Sequence, residues 1–348
     1  MDAIKMPHKI CAYNCMWNPV EDLYTRKTGN AVPDFLFFTI SGIGNYIYLK
    51  NKNNPVQRIV GWGNGHTTTM YDFMKDIAGF DYEKKEGQKF ENAFKNIVSN
   101  LDNGKPTVLG ALDMYHLPYF DKFYHKVHIP IHYIMAVGYD EEFMYVMDCD
   151  REGVQSVSYE DLCKAMAVET PGYSKKNTYF TFDFYKSESV KDIVLNGFRK
   201  KAEFNLNPPV SIFGIKGMKK MINEIGNWKN EISAEEYEKC LLNMVEFSGF
   251  PPILPEKLSG FPIDEKINHM AGRDALATVL TDFGEKNEYK KYVEAGRIFS
   301  DSGKIIEEVV FDTCDCILQK TAITESIVNK MTYIIDNEEK AYELLLND

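Results

Sequence analysis

A thiol, an imidazole and a carboxylate in this sequence have the types and settings that covalent acyl chemistry needs. His132 and Asp148 lie sixteen residues apart in the stretch 132–161, HYIMAVGYDEEFMYVMDCDREGVQSVSYED. Runs rich in β-branched and aromatic residues flank the polar Asp140-Glu141-Glu142, so the stretch reads as a hairpin with strands 132–139 and 143–148. That turn sets His132 and Asp148 roughly opposite each other across the ladder, where side chains touch. A carboxylate against an imidazole fixes its tautomer and favours its charged form, as a general base beside a nucleophile requires. Asp150 is the alternative acid.

The thiol comes from the amino end. Cys15 precedes NPVEDLYTRK, residues 18–27, where Asn18 suits an N-cap, Pro19 the first helical turn, and Glu21 and Asp22 the positive end of the dipole. Val20, Leu23, Tyr24 and Lys27 follow helical spacing, and Gly29-Asn30 ends the run. A cysteine at a helix start is favoured as a thiolate and has backbone N–H groups nearby for an oxyanion. Cys11 competes with Cys15 for this role. Strand alternation points Cys149 away from His132. Cys163, Cys240, Cys314 and Cys316 fall on helical patterns and read as packing residues.

These residues need elements to hold them. Residues 34–50 read as helix or strand, tight turn, then strand. GWGNGHTTT, residues 61–69, lacks the GK[ST] of a phosphate loop and reads as a close-packed turn. Residues 70–103 read as two helices and 106–117 as a buried strand. A loop crowded with His116, Tyr119, Phe120, Tyr124, His125 and His128 leads from there into the hairpin and should border the site. Its histidines match no familiar zinc spacing, so no metal is expected. Ser158 caps a helix, with Asp161 completing a capping box, and 177–185 alternates as a last strand. From residue 187 onward the patterning is helical. The expected fold is therefore α+β over 1–186, a helix plus antiparallel sheet, followed by a mostly α-helical accessory domain over 187–348.

Composition bounds the partners. The 348 residues carry a formal net charge of −11, with 44% hydrophobic and 26% charged residues. That balance suits a water-soluble globular protein and argues against nucleic acid and anionic membrane surfaces as partners. Seven cysteines, unevenly spaced, and an opening MDAIKMPHKICAYNC without an apolar signal core lead us to expect a cytoplasmic protein with reduced thiols.

HKICAYNCMWNPVEDLY, TISGIGNYIYLK, ALDMYHLPYF and the hairpin resemble the butirosin biosynthesis protein H-like acyltransferases. The interval between His132 and Asp148 also resembles that of C39-type peptidases, which share the papain-like cysteine fold. The resemblance implies acyl transfer without ATP, with Cys15, His132 and Asp148 as the catalytic residues. An acyl or peptidyl carrier protein would bring the donor as a phosphopantetheine thioester, and an amine, free or itself carrier-bound, would receive it. No cofactor is expected on the chain itself. Papain-like enzymes place a Gln six residues before the cysteine, but Lys9 stands there, so Asn14 and His8 are the candidates for the second oxyanion donor. Tyr119 and His116 are candidates for substrate contact. Arg199-Lys200-Lys201 and Lys216 with Lys219-Lys220 are candidate docking sites for an acidic carrier. The competing activity for the same machinery is a cysteine peptidase or amidase.

Overall fold

A computed structural model describes residues 3–42, 44–62, 66–171, 173–248, 254–260 and 272–347. Residues 63–65, in the glycine-rich stretch before His66, lie outside the described residues, as does residue 43. The chain forms two compact units, one from residues 1–37 and 66–193, the other from 38–65 and 194–348. The division therefore differs from the single cut expected near residue 186. Residues 38–65 go with the second unit, because their hairpin pairs with that unit's helices.

The strands are β1 Ile47–Lys50, β2 Arg58–Gly61, β3 Phe80–Lys85, β4 Thr107–Leu112, β5 His132–Tyr139, β6 Phe143–Met147, β7 Gln155–Ser158 and β8 Tyr179–Phe184. The helices are α1 Asn18–Thr28, α2 Leu36–Ser41, α3 Thr67–Ala78, α4 Phe90–Asp102, α5 Tyr159–Met166, α6 Val190–Leu206, α7 Gly214–Ile225, α8 Trp228–Glu231, α9 Ala234–Glu246, α10 Glu256–Ser259, α11 Arg273–Asn287, α12 Lys290–Leu318 and α13 Glu325–Leu346. The architecture is α+β with antiparallel sheets and a largely helical carboxyl-terminal part.

In the first unit six strands make one antiparallel sheet, ordered β3-β8-β4-β5-β6-β7. The β5–β6 hairpin is closed by Asp140, whose carboxylate accepts from the N–H groups of Glu142 and Phe143 at 2.8 Å each. Ser158 caps α5, accepting from the Asp161 N–H at 3.1 Å. β3 was not expected, because residues 70–103 read as two helices. Phe80–Lys85 alternates less and more exposed positions at the sheet edge, and Asp81, Glu83 and Lys85 take the solvent side. Helix α1 is covered by aromatic packing: Trp17, just before it, meets Phe37 and Tyr71 edge-on at 5.6 and 4.9 Å.

The second unit is not wholly helical. It includes the antiparallel pair β1–β2, with Tyr48 stacked on Trp228 at 5.9 Å. Helix α12 packs along α11 so closely that a Cβ on Gly296 would lie 2.4 Å from Thr281 Oγ1. Arg273 and Glu338, both almost wholly buried, join α11 to α13 through bonds of 2.8 and 2.6 Å. Among the described residues no helix is long and apolar enough to cross a membrane.

One glycine decides how β4 meets β5. A Cβ on Gly110 would lie 2.3 Å from the ring of Tyr133, whose hydroxyl pairs with Thr67 Oγ1 at 2.7 Å. Either the strands part or the ring leaves Thr67. Gly110→Ala should therefore destabilise the fold by about 1–3 kcal/mol, the usual cost of overpacking. Urea unfolding checks this, and an unchanged midpoint would contradict the packing described.

Candidate active site

Helix α1 carries two acids on its buried side, and the segment before it supplies their partners. Glu21 is fully buried and receives Asn14 Nδ2 at 3.0 Å, Lys9 Nζ at 3.1 Å and the Phe37 N–H at 3.1 Å. Burial pushes the Glu21 carboxyl up in pKa, while the Lys9 charge and these donors work against that rise. Asp22 takes His8 Nδ1 at 2.6 Å. The other ring nitrogen of His8, Nε2, lies 3.1 Å from the carbonyls of both Asp148 and Arg151. Both His8 nitrogens thus face acceptors, which calls for the doubly protonated ring. Burial would lower the His8 pKa, but Asp22 and the two carbonyls together hold it above its ordinary value.

The chain then turns sharply through Tyr13, at φ +66°, into the first helical turn. The Asn14 carbonyl accepts from the Trp17 and Asn18 N–H groups at 2.9 and 2.7 Å, so helical bonding starts ahead of α1. Trp17, not Asn18, is the N-cap residue, and the Asn18 amide donates to the Lys9 carbonyl instead. Tyr71 on α3 fixes this turn from the far side, donating to the Met16 carbonyl at 2.9 Å. Cys15 is held in the turn, half-buried, with Sγ 4.0 Å from the Ile131 carbonyl and close enough to His132 to help raise its pKa.

His132 opens β5 and is 5% exposed. Its Nε2 lies 2.7 Å from Asp148 Oδ2, which leaves Nδ1 as the nitrogen for the sulfur. Register alone does not make this pair. A bulge between Ala136 and Gly138 shifts β6, and Met135 pairs with Met147, so Asp148 is a diagonal rather than a direct neighbour of His132. Asp148 follows the last residue of β6 and is 1% exposed. Its Oδ2 also accepts from Tyr119 Oη at 2.9 Å, and its Oδ1 from the Asp150 N–H at 3.1 Å. Asp150, the alternative acid, thus contributes a backbone donor to Asp148.

Burial would lower the His132 pKa, but the Asp148 charge and hydrogen bond, then Cys15, hold it well above its ordinary value. Burial would likewise raise Asp148, but the imidazolium, the Asp150 N–H and Tyr119 bring it below the usual range. Cys11 and Cys149 are buried. Burial, then the Glu21 and Asp34 charges, push Cys11 up to about 12. Burial and the charges around it raise Cys149 well above a normal thiol.

The structure thus brings Cys15, His132, Asp148 and Tyr119 together. It gives His8 and Asn14 other work: both His8 nitrogens are committed, and the Asn14 amide donor goes to Glu21. His8 is not free to donate to an oxyanion, and the Asn14 amide is buried against Glu21. His116 is set apart from the cluster, among Tyr115, His125 and Asp161. Sequence reasoning missed Arg151, whose Nε donates to the Tyr119 carbonyl at 3.1 Å and whose guanidinium lies 4.5 Å from the Phe120 ring. Phe120 in turn meets His132 edge-on at 5.3 Å. Only the run Asp148-Cys149-Asp150-Arg151 hinted at a basic partner for the loop.

Residues 14–149 match the family model of butirosin biosynthesis protein H, N-terminal. That stretch of the chain is therefore similar to the amino-terminal part of butirosin biosynthesis protein H. Residues 160–249 match the model of a domain of unknown function. A crystal structure described as a C39-like peptidase, from Bacillus anthracis, aligns with 54% of this chain and 100% of its own, at 14% identity and a TM-score of 0.35. No curated protein matches the chain.

The pair has opposite pH limits. His132, raised in the fold, stabilises fully below its unfolded value of about 6.5 and loses that contribution as pH climbs through its folded value. Asp148, lowered in the fold, stabilises above its unfolded value of about 3.9 and loses it as pH falls through its folded value. Asp148→Asn removes the charge that opposes burial, so the His132 titration midpoint followed by NMR should move down. A midpoint that stays in place would mean that Asp148 does not set the charge of His132.

Proposed function

We propose that this chain is an ATP-independent acyltransferase that forms an amide from a thioester through a Cys15 acyl-enzyme. The observation that carries this reading is the half-buried Cys15 thiol beside an imidazole whose Nε2 lies 2.7 Å from a buried carboxylate. That is a nucleophile, a base and an orienting acid in series. With the Cys15 proton already on His132, the sulfur attacks the thioester carbonyl. The carrier's pantetheine thiol leaves with a proton from His132, and the acyl group remains on Cys15. An amine then attacks, His132 takes its proton, and the Cys15 thiol is restored as the amide departs. The Cys15 backbone N–H supplies one donor to the oxyanion at each addition.

The donor chemistry needs no nucleotide, since a thioester is already activated. Amine must compete with water for the acyl-enzyme, which calls for a positioned acceptor and a partly dry site. The wall made by Tyr119, Phe120 and Arg151 supports this. The family's name places butirosin biosynthesis protein H in antibiotic synthesis, and we extend that setting to this chain as part of the proposal. A carrier protein as donor partner rests on the sequence resemblance. Of the basic residues suggested for its docking, Lys201 is excluded. It is buried and donates to Asn45 Oδ1 at 2.9 Å, because α6 turns it inward while Arg199 stays exposed.

Intact-mass measurement after incubation with acyl-carrier thioesters tests the reading. The resemblance to the group that includes the closthioamide amide-forming synthase puts β-alanine-type chains among the donors to try. The protein should gain the acyl mass, Cys15→Ala should not, and an added amine should discharge the label as amide. Discharge as free acid, whatever amine is present, would favour a hydrolase on the same residues. No mass gain with any thioester would sink both.

A further inference from the structure

The loop between β4 and β5 contains three of the seven histidines, and β5 opens with a fourth. Two of the four have partners that explain them. His132 is held by Asp148. His128 Nδ1 lies 2.6 Å from Asp113 Oδ2, and its ring stacks on Tyr115 at 4.1 Å. Asp113 also receives the Tyr115 and Ile129 N–H groups on Oδ1, so this pair closes the base of the loop.

His116 and His125 are left, and they converge on Asp161 of α5. One ligand atom from each of the three lies within 4.8 Å of the others. His116 Nδ1 is buried and has no hydrogen-bond partner. A buried ring nitrogen without a partner calls for an explanation, and an unplaced ion is one. His125 is held in place rather than loose. It sits at φ +53°, its N–H donates to the Tyr115 carbonyl at 2.9 Å, and its ring stacks on Tyr124 at 4.0 Å. Asp161 uses Oδ2 for Ser158 Oγ at 3.0 Å and Tyr124 Oη at 3.4 Å, so Oδ1 is the oxygen these contacts leave over.

The geometry points to a divalent transition-metal site of the zinc class formed by His116, His125 and Asp161, which clamps the β4–β5 loop to the start of α5. Two imidazoles and a carboxylate are a donor set that zinc accepts at about 2.0–2.2 Å, which puts neighbouring ligand atoms about 3.3 Å apart. Binding would draw the trio together from within 4.8 Å to that spacing, with water as the fourth ligand. The expectation of a metal-free chain rested on spacing in sequence. Asp161 could not enter it, because it lies 36 residues beyond His125 (161 − 125). The site would hold the loop that presents Tyr119 to Asp148. The inference does not depend on the acyl-transfer reading.

Zinc titration by calorimetry tests it, with the full chain carrying Cys15→Ala so that this half-buried thiol does not compete. His125→Asn removes an imidazole and keeps a residue that tolerates positive φ. His116→Gln is the second variant, His128→Ala the control, and circular dichroism checks that each folds. One zinc should bind per parent chain and per His128→Ala chain, with affinity at least tenfold weaker in both His125→Asn and His116→Gln. Zinc should also slow amide exchange across residues 115–125 of the parent. No zinc binding by the parent, equal binding in the two variants, loss of binding in His128→Ala alone, or no slowing across the loop would each overturn the site.

Discussion

Asp148 is 1% exposed, and the site is arranged around meeting its charge. A buried carboxylate left without donors costs several kcal/mol, on the order of the 3–5 kcal/mol lost when one partner of a buried pair is removed. Three donors answer it: the His132 ring, the Tyr119 hydroxyl and the Asp150 N–H. Each comes from a different piece of chain, namely the start of β5, the β4–β5 loop and the turn after β6. The need to satisfy one carboxylate therefore fixes three segments at once. The loop is fixed a second time by Arg151, which reaches back to the Tyr119 carbonyl and lies on Phe120, and Phe120 bears on His132.

The thiol is positioned by the same kind of constraint, acting on α1. Glu21 and Asp22 point inward, and the segment from His8 to Asn14 crosses the helix to supply their partners. Cys15 follows directly, so its place is set by where those acids need cations and amides. His8 links the two arrangements. One of its nitrogens binds Asp22 on α1, and the other faces the Asp148 and Arg151 carbonyls. The piece of chain that presents the sulfur and the piece that presents the orienting acid are thus tied to a single imidazolium.

What was legible in the sequence was whatever local chemistry decides. The Asp140 turn, the Ser158 cap with Asp161 and the end of α1 at Gly29 follow from residues within a few positions of one another. The candidate trio was legible because a helix start and a hairpin each leave a local mark. What was missed depends on distant partners. Phe80–Lys85 is strongly charged, and only pairing with β8 makes it a strand. Glu21 and Asp22 looked like helix-dipole acids because nothing local reveals that they are buried. His8 and Asn14 were suggested for an oxyanion on proximity to Cys15 in sequence, but the acids of α1 use them. Lys201 looked like part of a surface cluster, yet α6 turns it into the interior. Asp148 was the right distance from His132 by count, but a bulge and a diagonal contact bring the pair together.

The acids around the site also select among its thiols. Cys11, Cys15 and Cys149 lie close enough that Cys149 feels the charges of both the others. Glu21, Asp34, Asp148 and Asp150 make the region hostile to a further negative charge, and burial adds to that for Cys11 and Cys149. Cys15 differs in two respects: it is only half-buried, and it faces the one imidazole that Asp148 keeps positively charged. Burial and the nearby carboxylates thus disfavour a thiolate on Cys11 and on Cys149. What sets Cys15 apart from its neighbours is its place beside the imidazole that Asp148 holds.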